Sequence, residues 1–319
     1  MSKNKIIFID SVHPILRERL TEKGFKCLDY TTNTRKEVLS VISSFTGAVI
    51  RSKFKIDKEI LDRAINLKFI ARSGAGLENI DLDYAQQKGV TVYNSPEGNR
   101  TAVGEHALGM LLNLFNNLSR ADLEVRMGIW DREGNRGHEL AGRTVGIIGY
   151  GNMGSAFAQR LQGFECNVIA YDKYKSGFGN DYVQEVSIET IFEEADVVSL
   201  HTPLTDETRY LINDEFIRSF TKNIYIINTA RGLTLNTVDL VNGLKSGKVI
   251  GACLDVLEYE KTSFENLNKD SLPEAFQFLT ESDQVILSPH IAGWTHESYV
   301  KLSSFLADKI EKDLSDYTQ

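Results

Sequence analysis

Twenty residues in the middle of the chain constrain its fold more than any other stretch. From 145 to 164 an apolar run (145–148) leads into Gly149-Tyr150-Gly151-Asn152-Met153-Gly154. A helix-forming segment, SAFAQRLQGF, follows at 155–164. A short apolar run ahead of a glycine turn reads as a buried strand, and the turn has the G-x-G-x-x-G spacing. The first glycine permits a tight turn, the second lets a pyrophosphate approach the backbone, and the third allows close helix–strand packing. The helix N-terminus adds N–H donors and the positive end of its dipole. Alone the spacing is weak evidence, but here the next apolar run, 167–172, ends in an acid. Asp172 lies 18 residues beyond Gly154, where a carboxylate accepts hydrogen bonds from the adenosine ribose and repels a 2′-phosphate. The unit therefore points to a dinucleotide, NAD in preference to NADP, with Lys173 and Lys175 as the opposing cations.

Elsewhere short apolar runs alternate with amphipathic stretches, the pattern of parallel sheets flanked by helices. A first series of strands is expected at 5–10, 47–52, 67–74 and 90–95, with helices at 14–23, 57–65 and 82–88. A long apolar helix covers 101–118. A second series follows at 144–149, 167–172, 196–201, 224–229, 249–256 and 284–290. The polar segment 261–283 reads as a surface excursion with a short helix. The chain is helical again from His296, and the sequence alone does not place that last helix.

The 319 residues suffice for two domains. A net charge of −8 argues against a nucleic-acid surface. No run is long and apolar enough for a membrane span, and the first residues lack a signal-peptide pattern. Cys27, Cys166 and Cys253 are odd in number and far apart, so three buried reduced thiols in a cytoplasmic protein are expected. No metal site is expected.

Several strand ends carry chemistry. Arg231 follows 224–228 in Asn228-Thr229-Ala230-Arg231-Gly232, where a guanidinium can hold a carboxylate bidentately. His290 closes VILSPH and titrates near neutrality, as proton exchange at an alcohol carbon requires. Glu260 and Glu258, after the strand 249–256, are rival carboxylate partners for it. His201, at another strand end, reads as cleft lining. His13, His106, His138 and His296 default to structural or surface roles.

At these residues the chain resembles the D-isomer-specific 2-hydroxyacid dehydrogenase family. The matching stretches are Arg72-Ser73-Gly74-Ala75-Gly76-Leu77-Glu78-Asn79-Ile80-Asp81, the glycine loop, HTPLTDET (201–208), NTARG (228–232), GACLDVLEYE (251–260) and SPHIAG (288–293), in the family's order. The resemblance implies two doubly wound parallel-sheet α/β domains, a Rossmann NAD domain (101–289) inserted into a flavodoxin-like substrate domain (1–100 with 290–319). It implies that Arg231 anchors the substrate, that His290 is the acid/base, and that Glu260, not Glu258, is its partner. Lys261 stands where the family usually has proline. The implied cofactor contacts are Ala75, Gly149, Gly151, Asn152, Met153, Gly154, Asp172, His201, Thr202, Thr229, Ala230, Asp255, Ala292 and Gly293. The backbone of Ser73, Gly74, Ala75 and Gly76 would grip the substrate carboxylate, and the helix from Thr101 would form much of a homodimer interface.

Within the family the chain is most similar to the phosphoglycerate dehydrogenases, through Arg51-Ser52, Arg72, Asn94-Ser95-Pro96-Glu97-Gly98-Asn99 and Trp130-Asp131-Arg132. That similarity implies 3-phosphoglycerate as substrate, with its phosphate held by Arg51 and by Arg132 of a second subunit. Ending at Gln319, the chain is expected to be a short form without regulatory C-terminal domains or feedback through them. Hydroxypyruvate or glyoxylate reduction is the alternative, since neither needs such cations. An NAD-responsive corepressor-like binding protein would keep the same residues but show negligible turnover.

Overall fold

The computed structural model describes residues 4–260 and 273–313. They form two compact units, one holding 4–99 and 294–313, the other 100–260 and 273–293.

In the first unit, β1 (Lys5–Phe8), β2 (Lys26–Asp29), β3 (Gly47–Ile50), β4 (Phe69–Arg72) and β5 (Thr91–Asn94) form one sheet in the order β2-β1-β3-β4-β5. All pairs are parallel, which is the flavodoxin-like arrangement with its order reversing between β1 and β3. β3 is buried at all four positions, as a sheet covered on both faces requires. β2 reads KCLD, with no fully buried position, so no apolar run marks it. Its place is fixed by pairing at the sheet edge. Local chemistry sets the helix starts: Asp57 caps Lys58–Arg63 and Asp81 caps Leu82–Gln87 through their side chains.

The C-terminal helix His296–Lys312 begins at a Thr295 capping box. Its Leu306, Ala307 and Ile310 enter the core with Ile6, Phe8 and Phe69. Arg19 Nε donates to Glu311 at 2.8 Å, and Lys309 Nζ to the Asn94 carbonyl at 2.8 Å. Its apolar stripe thus belongs to the first unit.

The second unit holds β6 (Thr144–Ile148), β7 (Asn167–Tyr171), β8 (Gln184–Glu185), β9 (Val197–Leu200), β10 (Ile224–Asn228), β11 (Val249–Leu254) and β12 (Val285–Leu287). The order is β12-β11-β10-β9-β6-β7-β8, again all parallel. This is the Rossmann order, reversing between β6 and β9. The chain is therefore two parallel-sheet α/β domains.

The helix expected at 101–118 is Arg100–Phe115, and a second helix, Leu118–Arg126, follows it through Asn117, which adopts a left-handed φ of 52°. Asparagine tolerates that region better than most residues. Eight residues of the first helix are buried, five of them in the unit's own core, whereas the second buries none. The helix Glu274–Glu281 lies in the expected polar excursion, whose first part, Lys261 included, is outside the described residues. Cys253 is buried and burial pushes its thiol pKa up, but Cys27 and Cys166 are only half-buried. Among the described residues no helix is long and apolar enough to cross a membrane.

Candidate active site

In the second unit the candidate functional residues follow the carboxyl ends of β6, β7, β9, β10, β11 and β12, where doubly wound sheets bind ligands. The glycine loop comes first. A Cβ on Gly149 (φ 92°) would lie 2.7 Å from the His201 carbonyl oxygen, and one on Gly154 only 2.1 Å from the Gly149 carbonyl oxygen. A Cβ on Gly151 would meet nothing within 4 Å. Two glycines thus serve packing, while the third keeps space clear above the loop. The helix that follows, Asn152–Leu161, has no side-chain cap on its first amides.

Asp172 is fixed: Oδ2 accepts from Tyr150 N at 2.7 Å, and Oδ1 from Tyr174 N and Lys175 N at 2.9 and 3.0 Å. A carboxylate has acceptor capacity beyond these bonds. Of the cations that could favour a 2′-phosphate, Lys173 is paired with Glu207 at 2.8 Å. Lys175 Nζ reaches the Tyr150 carbonyl at 3.4 Å.

Three buried polar atoms after β9 and β10, His201 Nδ1, Thr202 Oγ1 and Thr229 Oγ1, have no partner among the described residues. Buried polar atoms are rarely left so unless something else satisfies them. Burial pushes the His201 pKa down to about 3, so this ring stays neutral, its Nε2 2.9 Å from Ser199 Oγ. Open space at Gly151, uncapped helix amides and three orphan atoms together fit a dinucleotide.

Next to this cradle lies an acid–base pair. His290 Nδ1 is 2.6 Å from Glu260 Oε2, and Glu260 Oε1 accepts the Leu257 N–H. The carboxylate on Nδ1 selects the tautomer that carries its proton there, leaving Nε2 as the nitrogen that exchanges a proton. Glu258 is engaged elsewhere: it accepts from Tyr210 Oη at 2.8 Å and from Thr237 N at 3.0 Å, at the start of Thr237–Ser246. Geometry thus separates two glutamates that the residues alone left as rivals.

His290 has a left-handed φ of 56°, a conformation that needs support from its surroundings. The support is Asp255, 1% exposed. Its carbonyl accepts the His290 N–H at 2.7 Å, and its carboxylate accepts from Ile291 N and Ala292 N, both at 2.8 Å, and from Ser288 Oγ at 2.6 Å. His106 Nε2 stands 2.9 Å from Ser288 Oγ and 3.5 Å from Asp255 Oδ1. Burial by itself would raise the Asp255 pKa. The bonds from His106, Ser288, Ala292 and Ile291 outweigh it and hold the carboxyl below the usual range.

Asp255, assigned to cofactor contact on sequence, is therefore at least as much the clamp of the His290 turn. His106, assigned a default role, is part of that clamp. Ser288 stood inside the SPH motif, but nothing in one dimension pairs it with a helix 182 residues away.

Arg231 follows β10 with an extended backbone (φ −143°). Its carbonyl accepts from Asn228 Nδ2 at 3.0 Å and Thr234 Oγ1 at 2.6 Å, and its Nη1 donates to the Ala230 carbonyl at 2.6 Å. A Cβ on Gly232 would sit 1.9 Å from the Leu257 carbonyl oxygen, so the Arg231 turn and the Glu260 turn pack with no room for a side chain. Ala230 and Ala292 are buried beside these turns and Gly293 is half-buried.

The first unit carries the remaining candidates. Ser73 and Gly74 are buried after β4, with Ala75 and Gly76 half-buried. Gly74 (φ 152°) accepts at its carbonyl from Ser95 N at 3.0 Å, and Ala75 from Asn94 Nδ2 at 2.6 Å. Arg51 follows β3, its guanidinium 4.3 Å over the ring of Trp294. Asp10, after β1, accepts on Oδ2 from the backbone N–H groups of Arg51, Ser52 and Lys53 at 2.6, 3.0 and 3.1 Å. Asp10 and Trp294 carried no signal in the sequence. Arg132 is exposed on the second unit with no ion-pair partner among the described residues.

Residues 108–292 match the model of the D-isomer specific 2-hydroxyacid dehydrogenase NAD-binding domain. A hydroxypyruvate reductase of Thermotoga maritima is 37% identical over 280 residues, 88% of each chain. A D-3-phosphoglycerate dehydrogenase of Archaeoglobus fulgidus is 32% identical across 96% of this chain but only 56% of its own length. The crystal structure of an Aquifex aeolicus D-lactate dehydrogenase with NAD and lactic acid superposes with a TM-score of 0.81 at 28% identity, covering 99% of this chain and 96% of that one. With a dinucleotide cradle and a carboxylate-held histidine both at the carboxyl ends of one Rossmann sheet, the chain belongs to the D-isomer-specific 2-hydroxyacid dehydrogenases and is an NAD-dependent oxidoreductase.

Proposed function

We propose that this enzyme interconverts 3-phosphoglycerate and 3-phosphohydroxypyruvate, an oxidation of serine biosynthesis, with His290, Glu260 and Arg231 as its working groups. NAD, when bound, supplies the hydride acceptor. His290 takes the C2 hydroxyl proton on Nε2. Glu260 holds the ring through Nδ1 and stabilises the imidazolium that forms. Arg231 holds the carboxylate and polarises the developing carbonyl, a task suited to a planar fork of donors. Asp172, Thr202, Thr229 and the 149–154 loop hold the cofactor, and the segments 1–100 with 290–319 hold the substrate.

Arg51 carries the choice of substrate. It lies at the β1/β3 reversal, is half-buried, and has no carboxylate within ion-pair distance among the described residues. A doubly charged phosphate would match such a guanidinium. The second reading is hydroxypyruvate or glyoxylate reduction. It is favoured by the 37% and 36% identities to a hydroxypyruvate reductase and a Thermofilum pendens glyoxylate reductase, against 32% to the Archaeoglobus enzyme.

Steady-state assays with NADH on phosphohydroxypyruvate, hydroxypyruvate and glyoxylate test both. The first reading requires the highest kcat/KM on the phosphorylated acid and its loss by about 10- to 100-fold in Arg51→Ala. Equal turnover of hydroxypyruvate, or an indifferent Arg51→Ala, would establish the second.

The enzyme works as a cytoplasmic homodimer in this proposal. Leu118, Leu123, Val125, Met127, Ile129 and Trp130 form an exposed apolar stretch, with Trp130 78% exposed. A second copy would cover it, and Arg132 lies in the same stretch, ready to serve the partner's site. Light scattering on Trp130→Glu should show monomers, and a wild-type monomer would end this part of the proposal.

A further inference from the structure

We infer that Trp294 is a specificity-determining residue, which by stacking on Arg51 keeps that guanidinium's N–H edge available for the phosphate of the substrate. The inference rests on the phosphorylated-substrate reading above and deepens it.

The groups around Arg51 are already committed. The neighbouring carboxylate, Asp10, lies at the same β1/β3 reversal but spends Oδ2 on the three backbone amides of 51–53. Lys53, two residues on, donates Nζ to the carbonyls of Ile9, Tyr30 and Thr31. What holds Arg51 is the Trp294 ring, 4.3 Å from its guanidinium carbon.

That ring is itself braced. Tyr299, one turn into the C-terminal helix, lies 6.1 Å from the indole and meets His13 edge-on at 5.4 Å. Trp294 is nonetheless 53% exposed, so the stack borders solvent.

A guanidinium has two kinds of surface. Its face suits an aromatic ring, and its edge presents five N–H donors in a fork that fits carboxylate or phosphate. A carboxylate partner would occupy the fork and cancel the charge. An indole occupies only a face. Burial also pulls the Arg51 pKa below its usual value, against the opposing charge of Asp10. A cation partly withdrawn from water, oriented by a ring and open along its edge is suited to the phosphate ester of a three-carbon acid. It lies where a flavodoxin-like sheet binds its ligand, at the strand-order reversal.

The test is selectivity, the kcat/KM for phosphohydroxypyruvate divided by that for hydroxypyruvate. It is measured for wild type, Trp294→Leu, Trp294→Phe and Arg51→Ala, with inorganic phosphate as competing probe. Trp294→Leu should lower the ratio about 10-fold through KM for the phosphorylated acid, and weaken inhibition by inorganic phosphate in step. Trp294→Phe, which keeps a ring face, should restore most of both. The melting temperature of each variant separates a folding defect from a selectivity change, because misfolding would lower both activities together. If Arg51→Ala abolishes the preference while Trp294→Leu keeps it, this inference fails and the substrate reading stands. If Arg51→Ala leaves the preference intact, the substrate reading fails and takes the inference with it.

Discussion

The two units treat the strand-order reversal, the place where doubly wound sheets bind ligands, in opposite ways. In the Rossmann unit the turn after β6 offers backbone: Gly151 leaves open space and the first amides of Asn152–Leu161 have no side-chain cap. In the flavodoxin-like unit the turn after β3 has comparable amides, but Asp10 consumes those of residues 51–53. What that turn presents instead is a side chain, Arg51 on Trp294, and in our proposal recognition passes to it. Backbone donors are rigid and suit a cofactor that never changes. A side-chain cation can be altered by one substitution, which suits the part of the site that sets substrate.

The largest test removes the side chain on which the backbone-based unit depends for chemistry. His290→Gln should reduce kcat by about 10²- to 10⁴-fold with NAD affinity near that of wild type, followed by stopped-flow and fluorescence titration. An unchanged kcat would break the assignment of His290.

Next in size is the open glycine. Gly151→Val should weaken NAD by about 10- to 100-fold, the worth of one or two charge-assisted bonds, while its melting temperature holds. Gly154→Ala should behave in the reverse order. Its Cβ, 2.1 Å from a carbonyl oxygen, costs about 2 kcal/mol of overpacking and roughly 5 °C of melting temperature. Calorimetry with and without NAD distinguishes the two, and identical behaviour would erase the distinction between approach and packing glycines.

Smaller again is the corresponding change in the other unit. Asp10→Ala frees three amides, so stability should fall by about 1–3 kcal/mol, while NAD affinity is untouched.

The last effect is a slope. His201, with its pKa lowered to about 3, binds its proton in the unfolded chain near pH 6.5 but not in the folded one. Its stabilisation is complete above pH 6.5 and is lost as pH falls from there toward 3, by up to about 1.4 kcal/mol per pH unit. Urea midpoints of His201→Gln across pH 7.5 to 4.5 should lack that part of the slope. A variant as acid-sensitive as wild type would show that other groups carry it.

Much of this was legible in one dimension because its causes are local. The apolar runs at 144–149, 167–172 and 224–229 are strands because both their faces are buried, which needs no knowledge of neighbours. The glycine loop and Asp172 were legible for the same reason, since turn, helix start and acid follow in one continuous unit. Arg231, Glu260 and His290 were visible as residues at strand ends, and the choice of Glu260 over Glu258 came from family resemblance.

The remainder depended on contacts between distant segments. β2 has no apolar signal and exists through its pairing with β1. A second helix, Leu118–Arg126, follows the left-handed Asn117 with no buried residue to mark it in the sequence. His106 joins Asp255 and Ser288 from a helix about 150 and 180 residues earlier in the chain. Asp10 reaches three amides some 40 residues away, and Trp294 meets Arg51 from the far end of the chain.

The sequence by itself thus determined the strands, the dinucleotide turn and the residue types of the acid–base site, because periodicity and local spacing govern them. Only the tertiary structure decided what engages Glu258, what clamps the strained His290 turn and what faces Arg51. Those outcomes depend on which strand ends the sheet order brings together, and sheet order is fixed by the packing of whole layers.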